Sequence, residues 1–283
     1  MVPYAVPFAD ELRLRAGAVP EALDGVAVAR GCQHLVGDSF LLRTHTGFGF
    51  YYRKGEGILV ERPHGGDTSE ESLWLNGSVY AAVASIAGFK PIHASAVAWN
   101  GRVHAFTGPG GAGKSTLIAG LGAQGLPMFC DDTLVLDLSD PERITCLPGH
   151  KRLKLLPDAL ALTGAVAEEK VAPDNDKFYA RPPAGDIAVR LPLSELVFLE
   201  DGPESAMRPL PPGERFARLE ADHHTDVLFA QAQKLDRAGL FSLHARLASQ
   251  VPMARFVRPR DPARFAAGVA IAANHVRSAR SVR

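Results

Sequence analysis

Hydrophobic and polar positions switch rapidly along the first quarter of the chain. Between residues 26 and 62, SFLLRTHTGFGFYYR and GILVER alternate over short runs punctuated by Gly47, Gly49, Gly55 and Gly57. A period near two with glycine breaks predicts strands joined as hairpins. The GFGFYY stretch follows that alternation better than any glycine-rich nucleotide fingerprint. A polar break follows at Pro63-His64-Gly65-Gly66-Asp67-Thr68. Ser69 then opens a helical stretch whose first turn holds Glu70 and Glu71, acids that complement the positive end of the helix dipole. The helix is expected to end near Gly88, with Pro91 beyond it as a stop. Residues 72–89 carry no charge and reach the length of a membrane span. Ser72, Asn76, Gly77, Ser78 and Ser85 interrupt the apolar run, so a buried or half-buried helix is expected instead.

Residues 92–138 carry the densest pattern. IHASAVAW and RVHAFT read as strands, and Asn100-Gly101 between them is the strongest short hairpin signal. In a two-residue hairpin centred there, residue 99 pairs with 102 and 98 with 103. The same count places His93 opposite Gly108. GPGGAGKST comes next, then a helix TLIAGLGAQ, a break at Gly125, the apolar run LPMFC, Asp131-Asp132, and a strand TLVLDL. Beyond residue 140, strands (RLKLL, IAVRLP, LVFLE) alternate with helices (PDALALTG, 222–250, 261–277). Residues 172–185, with Pro173, Pro182, Pro183 and Gly185, read as an exposed loop suited to substrate contact. No period of 20–50 residues repeats, so a solenoid or propeller is not expected.

Composition changes this picture little. The 283 residues are 46% hydrophobic and 22% charged, as in ordinary globular proteins. Lys+Arg and Asp+Glu both number 31, so a nucleic-acid partner and a polybasic membrane anchor are not expected. A homo-oligomer is compatible with this balance. Cys32, Cys130 and Cys146 are too few and too scattered for a disulfide framework or a thiolate zinc site. The opening MVPYAVPFADELRLRAG meets Asp10 and Glu11 before any apolar core, so no secretory signal is expected. A reducing, cytoplasmic setting fits, and the glycosylation pattern at Asn76-Gly77-Ser78 then carries no weight.

Gly108-Pro109-Gly110-Gly111-Ala112-Gly113-Lys114-Ser115 matches GxxxxGK[ST] in full, with a strand entering and a helix leaving, Thr116 next in line. Glycines let backbone N–H groups wrap phosphate oxygens, and the helix N-terminus adds partial positive charge. Lys114 is expected to neutralise the β- and γ-phosphates and the Ser115 hydroxyl to ligate Mg²⁺. Phosphoryl transfer also needs carboxylates, one for the metal and one as base toward an attacking hydroxyl. Asp131 and Asp132 end the apolar run after the P-loop helix. A right-handed crossover to a strand parallel with residues 102–107 brings that end to the edge of the loop. Consecutive strand residues point to opposite faces, so the two aspartates are expected to have different roles. An imidazole at His93 is placed to orient or tune an aspartate. Arg152 and Lys154 alternate on one strand and are expected to face one cleft. With Lys177 they are candidates for clamping phosphate or a substrate carboxylate. Asp222-His223-His224-Thr225-Asp226 has poor geometry for one metal site, and no G-x-S-x-G or LSGGQ signature occurs.

His93 before the hairpin, the P-loop behind it and an Asp-Asp pair 17 residues after Lys114 together resemble the catalytic domain of HPr kinase/phosphorylase. IHASAV, GPGGAGKST and HKRLKLLPDA are most similar to the short HPr-kinase-like proteins of biosynthetic gene clusters, such as lasso-peptide precursor kinases. The resemblance spans about residues 89–200. It implies an α/β fold: a P-loop, HPr-kinase-like (PEP-carboxykinase-like) core over residues 89–283, behind a small β-rich region, 1–88, that ends in a helix. It implies an ATP- and Mg²⁺-dependent serine kinase acting on a peptide or small protein. Carried onto this chain, Asp131 is the base and Asp132 the metal ligand, the two being exchangeable, and His93 supports the aspartate. The glycine-rich signature tied to phosphorolysis has no clear counterpart here, which favours kinase over phosphorylase activity. The alternatives are a nucleotide-binding regulator that transfers nothing and a kinase for a small-molecule hydroxyl.

Overall fold

The computed structural model describes residues 7–181, 187, 189–220 and 223–279. The alternating front becomes a five-stranded sheet in the order Leu14–Ala16, Gly57–Glu61, Gly49–Arg53, Ser39–Arg43, Cys32–Val36. All neighbours are antiparallel except the first pair. Phe40, Leu42, Phe50, Tyr52, Ile58 and Val60 line one buried face, against the helix Tyr80–Ile86. Leu41 faces the other way, beneath Val19, Leu23 and Val28.

The single helix expected after residue 69 is two, and it starts earlier. Asp67 caps it, its carboxylate accepting the Ser69 N–H at 2.7 Å, and the first segment is Thr68–Trp74. A wide turn, Leu75–Val79, then interrupts the helix at Gly77, whose φ of −105° and ψ of −107° are not helical. The Asn76 amide donates to the Ser72 carbonyl at 2.8 Å beside the interruption. Every residue of Tyr80–Ile86 is buried. Among the described residues no helix is long and apolar enough to cross a membrane.

The body is a nine-stranded sheet. Its main path runs Met128–Cys130, Ala94–Trp99, Arg102–Thr107, Leu191–Asp201, Thr145–Leu147, Leu134–Asp137, Lys90–Ile92. Met253–Arg258 pairs in parallel with the second half of Leu191–Asp201 and carries Ala206–Pro209 on its far side. Only His93 separates Lys90–Ile92, at one end of the path, from Ala94–Trp99 near the other, so the sheet curls back on itself. The hairpin register is the one counted from Asn100-Gly101: Trp99 opposes Arg102 and Ala94 opposes Thr107. Met128–Cys130 runs in the direction of Arg102–Thr107, as the crossover requires, but the hairpin strand lies between them.

Alternation sorts the sheet's side chains. Ala94, Ala96, Val103, Ala105 and Phe198 enter one core with Leu247 of the helix Arg237–Gln250. Val97, Phe106, Val197 and Phe256 enter another, under the helices Lys114–Ala123 and Phe265–Ser278. Sheet and helices thus make the α/β class expected from the sequence. The front's core continues into the body through Val135, Leu147 and Leu228.

Three expectations change in detail. The helical stretch 222–250 is two helices, His223–Gln233 and Arg237–Gln250, broken where Lys234 adopts a φ of +52° and Asp236 caps the second. IAVRLP does not start a strand at its first residue; the strand begins at Leu191. The loop expected over 172–185 contains the strand Phe178–Ala180, paired with Leu153–Leu155 and Ala167–Lys170. The buried aromatic Tyr179 outweighs the flanking prolines there, its hydroxyl donating to the Ser69 carbonyl at 3.2 Å. Residues 182–185 of that stretch lie outside the described residues.

Candidate active site

The cradle stands at the carboxyl end of Arg102–Thr107. Gly111 and Gly113 take φ of +76° and +79°, a region that side-chain-bearing residues rarely adopt, and the helix begins at Lys114. A side chain at Gly108 would press on Ala112 and the Leu199 carbonyl, each 3.3 Å from its Cβ. The Lys114 ammonium donates to the carbonyls of Gly108 at 2.8 Å and Pro109 at 3.2 Å. A buried cation thus already sits inside the loop where phosphate oxygens would lie. Across the hairpin, Thr107 donates to the His93 carbonyl at 2.9 Å, tying the histidine to the base of the loop.

The two aspartates are handled differently. Asp131 is 1% exposed and accepts two hydroxyls on Oδ1, from Ser95 at 2.6 Å and Ser115 at 2.9 Å. Its Oδ2 accepts the Lys154 N–H at 3.3 Å. Burial, and next the charge of Asp132, push the Asp131 carboxyl above the ordinary range. Asp132 sits at the centre of a tight turn closed by the Thr133 N–H on the Asp131 carbonyl at 2.8 Å, with a φ of +69°. That is a γ-turn of the rarer, positive-φ kind. The turn leaves the second carboxylate partly exposed, where the Lys154 ammonium meets Oδ2 at 2.7 Å. His93 Nδ1 lies 2.9 Å from the Asp132 carbonyl, which can only accept, so Nδ1 carries a proton. Nδ1 is also 3.6 Å from Asp132 Oδ1. Burial alone would raise Asp132; Lys154 first, then His93, overcome it and hold the carboxyl at about 2.

A cleft of about 730 Å³ opens over these groups. Residues Gly110 to Thr116 of the loop, His93, Asp132, Lys154 and Lys177 line it; Asp131 lies beneath and does not. Arg152 departs from the expectation of one shared face. It sits before the strand Leu153–Leu155, bonds Glu168 at 2.9 Å and Glu169 at 2.8 Å, and stacks on Tyr179 with 3.9 Å to the ring centre. Two carboxylates outside the cleft draw it away from Lys154. In the 222–226 stretch, Asp226 is committed to Lys90 at 2.6 Å and His244 at 2.9 Å. Asp222 and the side chains of His223 and His224 lie outside the described residues.

Several participants were not legible. Ser95 sits inside IHASAV, but its link to Asp131 needs the strand Met128–Cys130 beside it. Arg258 closes the strand Met253–Arg258 and donates through Nη2 to the Ala112 carbonyl of the loop. The arginine-rich run RFVRPR at a strand end was its only signal. A Cβ on Gly77 would lie 4.0 Å from Asp132 Oδ2, so the helix interruption of the front reaches the site. Such widened turns recur at functional sites.

The donors around Ser115 suit a hard cation. A hydroxyl and carboxylates are oxygen ligands, and Mg²⁺ takes one or two carboxylates while nucleotide phosphates and water complete its shell. Among the described residues there is no group of three or more His, Cys, Asp or Glu that could hold a metal ion by itself.

No family model matches the chain, and no curated protein does. Among solved structures it is similar to the HPr(Ser) kinase/phosphatase from Coxiella burnetii, at 12% identity and a TM-score of 0.34. That alignment covers 66% of this chain and 95% of the other. The likeness is distant.

Proposed function

We propose that the protein is a kinase that moves the γ-phosphoryl group of ATP to a hydroxyl, serine on a peptide or small protein being the first candidate. One observation carries this reading. A buried carboxylate, Asp131, is bonded to the P-loop hydroxyl of Ser115, while a second, Asp132, faces the cleft. A module that only binds nucleotide has no need of the second.

The geometry favours exchanging the roles first given to the aspartates. Asp131 does not line the cleft an incoming hydroxyl would enter, and its bond to Ser115 puts it with the metal side. Asp132 is the carboxylate an acceptor meets. Mg²⁺, held by Ser115 and Asp131, would neutralise charge on the β- and γ-phosphates. Lys114 exchanges its carbonyl partners for phosphate oxygens. Asp132 orients the acceptor hydroxyl and takes its proton, with His93 and Lys154 fixing its position. A carboxylate near 2 is a weak base, but a loose transition state asks mainly for alignment and late proton removal. The chemistry is thus positioning and charge compensation.

Single-turnover transfer from γ-labelled ATP to serine peptides and small hydroxyl compounds tests this. Asp132→Asn is expected to slow transfer about 10²–10⁴-fold with ATP binding kept. Asp131→Asn is expected to raise the Mg²⁺ concentration required. A wild-type rate in Asp132→Asn would refute the role. Tight ATP binding with no transfer to any acceptor would return the protein to the non-catalytic reading.

A further inference from the structure

Three arginines of the carboxy-terminal segment line the cleft: Arg258, Arg260 and Arg264. Two are already engaged away from the cradle. Arg260 bonds Asp201 at 2.8 Å, and Arg264 donates to the Pro203 carbonyl at 2.6 Å. Arg258 differs. Among the described residues it forms no ion pair with a carboxylate, and its Nε is buried without a hydrogen-bond partner. Its Nη2 donates to the Ala112 carbonyl, and a Cβ built on Gly113 would stand 2.9 Å from the same nitrogen. The guanidinium therefore lies against the last turn of the cradle, immediately before Lys114.

A guanidinium with a buried, unused donor is costly unless an anion or acceptor completes it. Burial lowers the Arg258 pKa, yet a guanidinium stays protonated at physiological pH, so the charge remains. Its planar fork suits two phosphate oxygens at once, which a lysine cannot match. Gly113 is kept free of a side chain by its φ of +79° and by the arginine against it, so a phosphate at the cradle has a clear approach to both.

We infer that Arg258 is a polyphosphate-binding residue, which completes the cradle when nucleotide enters. This rests on the nucleotide-binding part of the function proposed above. It adds a second cation, 144 positions after Lys114, to a site whose sequence motif accounts only for the first. The strand Met253–Arg258 delivers it because that strand runs parallel to Leu191–Asp201, which runs parallel to the strand entering the loop. All three end at the same edge.

The test is displacement of a fluorescent ATP analogue by ATP, ADP and AMP, with Mg²⁺, from wild type, Arg258→Gln and Arg258→Lys. Circular dichroism melting checks that each variant folds. Arg258→Gln is expected to lose about 10- to 100-fold in ATP affinity, as for a charge-assisted contact, and progressively less for ADP and AMP. Arg258→Lys is expected to recover part of that loss, because charge remains while the fork is gone. Equal ATP affinity in wild type and Arg258→Gln would overturn the inference and leave the kinase reading intact. An equal factor lost for all three nucleotides would also overturn it, since that marks an arginine that only shapes the loop. A wild-type protein that binds no ATP would refute both.

Discussion

Asp132 shows how much chemistry one backbone angle can set. With a φ of +69° the residue lies where non-glycine residues are uncommon and enriched for Asp and Asn, so the turn is strained but tolerable. The turn separates two neighbouring carboxylates into a buried one and an accessible one. Their electrostatics diverge in consequence, Asp131 pushed up and Asp132 held at about 2. A folded-state value below the unfolded one means that Asp132 stabilises the fold above roughly pH 4, and that this is lost as pH falls toward 2. The same value keeps the carboxylate ionised through the neutral range, so it sets no acid limb on the rate above about pH 4. Lys154→Met removes the first of the opposing charges and leaves burial to act. The acid limb of kcat is then expected to move up by about one pH unit or more, read from a pH–rate profile. An unmoved limb would mean that Lys154 does not tune this carboxylate.

At the scale of elements, the cradle helix is positioned by its neighbour rather than by its own amphipathicity. Lys114–Ala123 is buried at Leu117, Ile118 and Leu121 and again at Gly120 and Gly122. At Gly120 the helix Phe265–Ser278 comes so close that an added Cβ would lie 2.7 Å from Val269 and 3.0 Å from Phe265. Val269 is β-branched and cannot swing away freely. Gly120→Ala gains up to about 1 kcal/mol of helix propensity but overpacks the contact by about 1–3 kcal/mol. A net loss of stability is expected in urea titrations. Val269→Ala on the same background should restore part of it by vacating the space. Leu121→Ala, at a position fully buried, is expected to cost about 2–5 kcal/mol.

For the whole molecule, the helix His223–Gln233 joins front to body. Gln233 donates to the Ser85 carbonyl of the front at 2.7 Å, and Asp226 pairs with Lys90 of the sheet. Lys90 is 1% exposed and also donates to the Pro91 carbonyl at 2.8 Å. Asp226 in turn meets the buried His244 at 2.9 Å. Removing one partner of such a pair strands a buried charge. Lys90→Met is expected to cost about 3–5 kcal/mol, and the double change Lys90→Met, Asp226→Leu much less. Urea titration of the two variants checks it; equal losses would show that burial of the pair is not what matters. Because the front's apolar core also runs into Val135, Leu147 and Leu228, front and body are expected to melt in one calorimetric transition. Two resolved transitions would contradict that.

Much of the site's frame was readable along the chain because its causes are local. Asn100-Gly101 dictates a two-residue turn, the turn dictates the register, and the register runs to Ala94 opposite Thr107, with His93 next in line. The P-loop was legible for the same reason, since positive φ and the approach of phosphate both call for glycine at fixed spacing. The front's strands followed from alternation. The interruption at Gly77 did not, because the polar residues around it fit a continuous helix as well as a broken one.

By itself, then, the sequence determined the α/β class, the cradle and the strand that carries Asp131 to it. Each depends on residues within one or two turns or strands of each other. Tertiary structure alone decided which aspartate faces the cleft, that Arg152 turns away to Glu168 and Glu169, and that Arg258 meets a loop 146 positions earlier. Those outcomes depend on side-chain directions and desolvation at contacts between distant segments. Spacing along a chain does not encode them until the sheet has brought its strand ends to one edge.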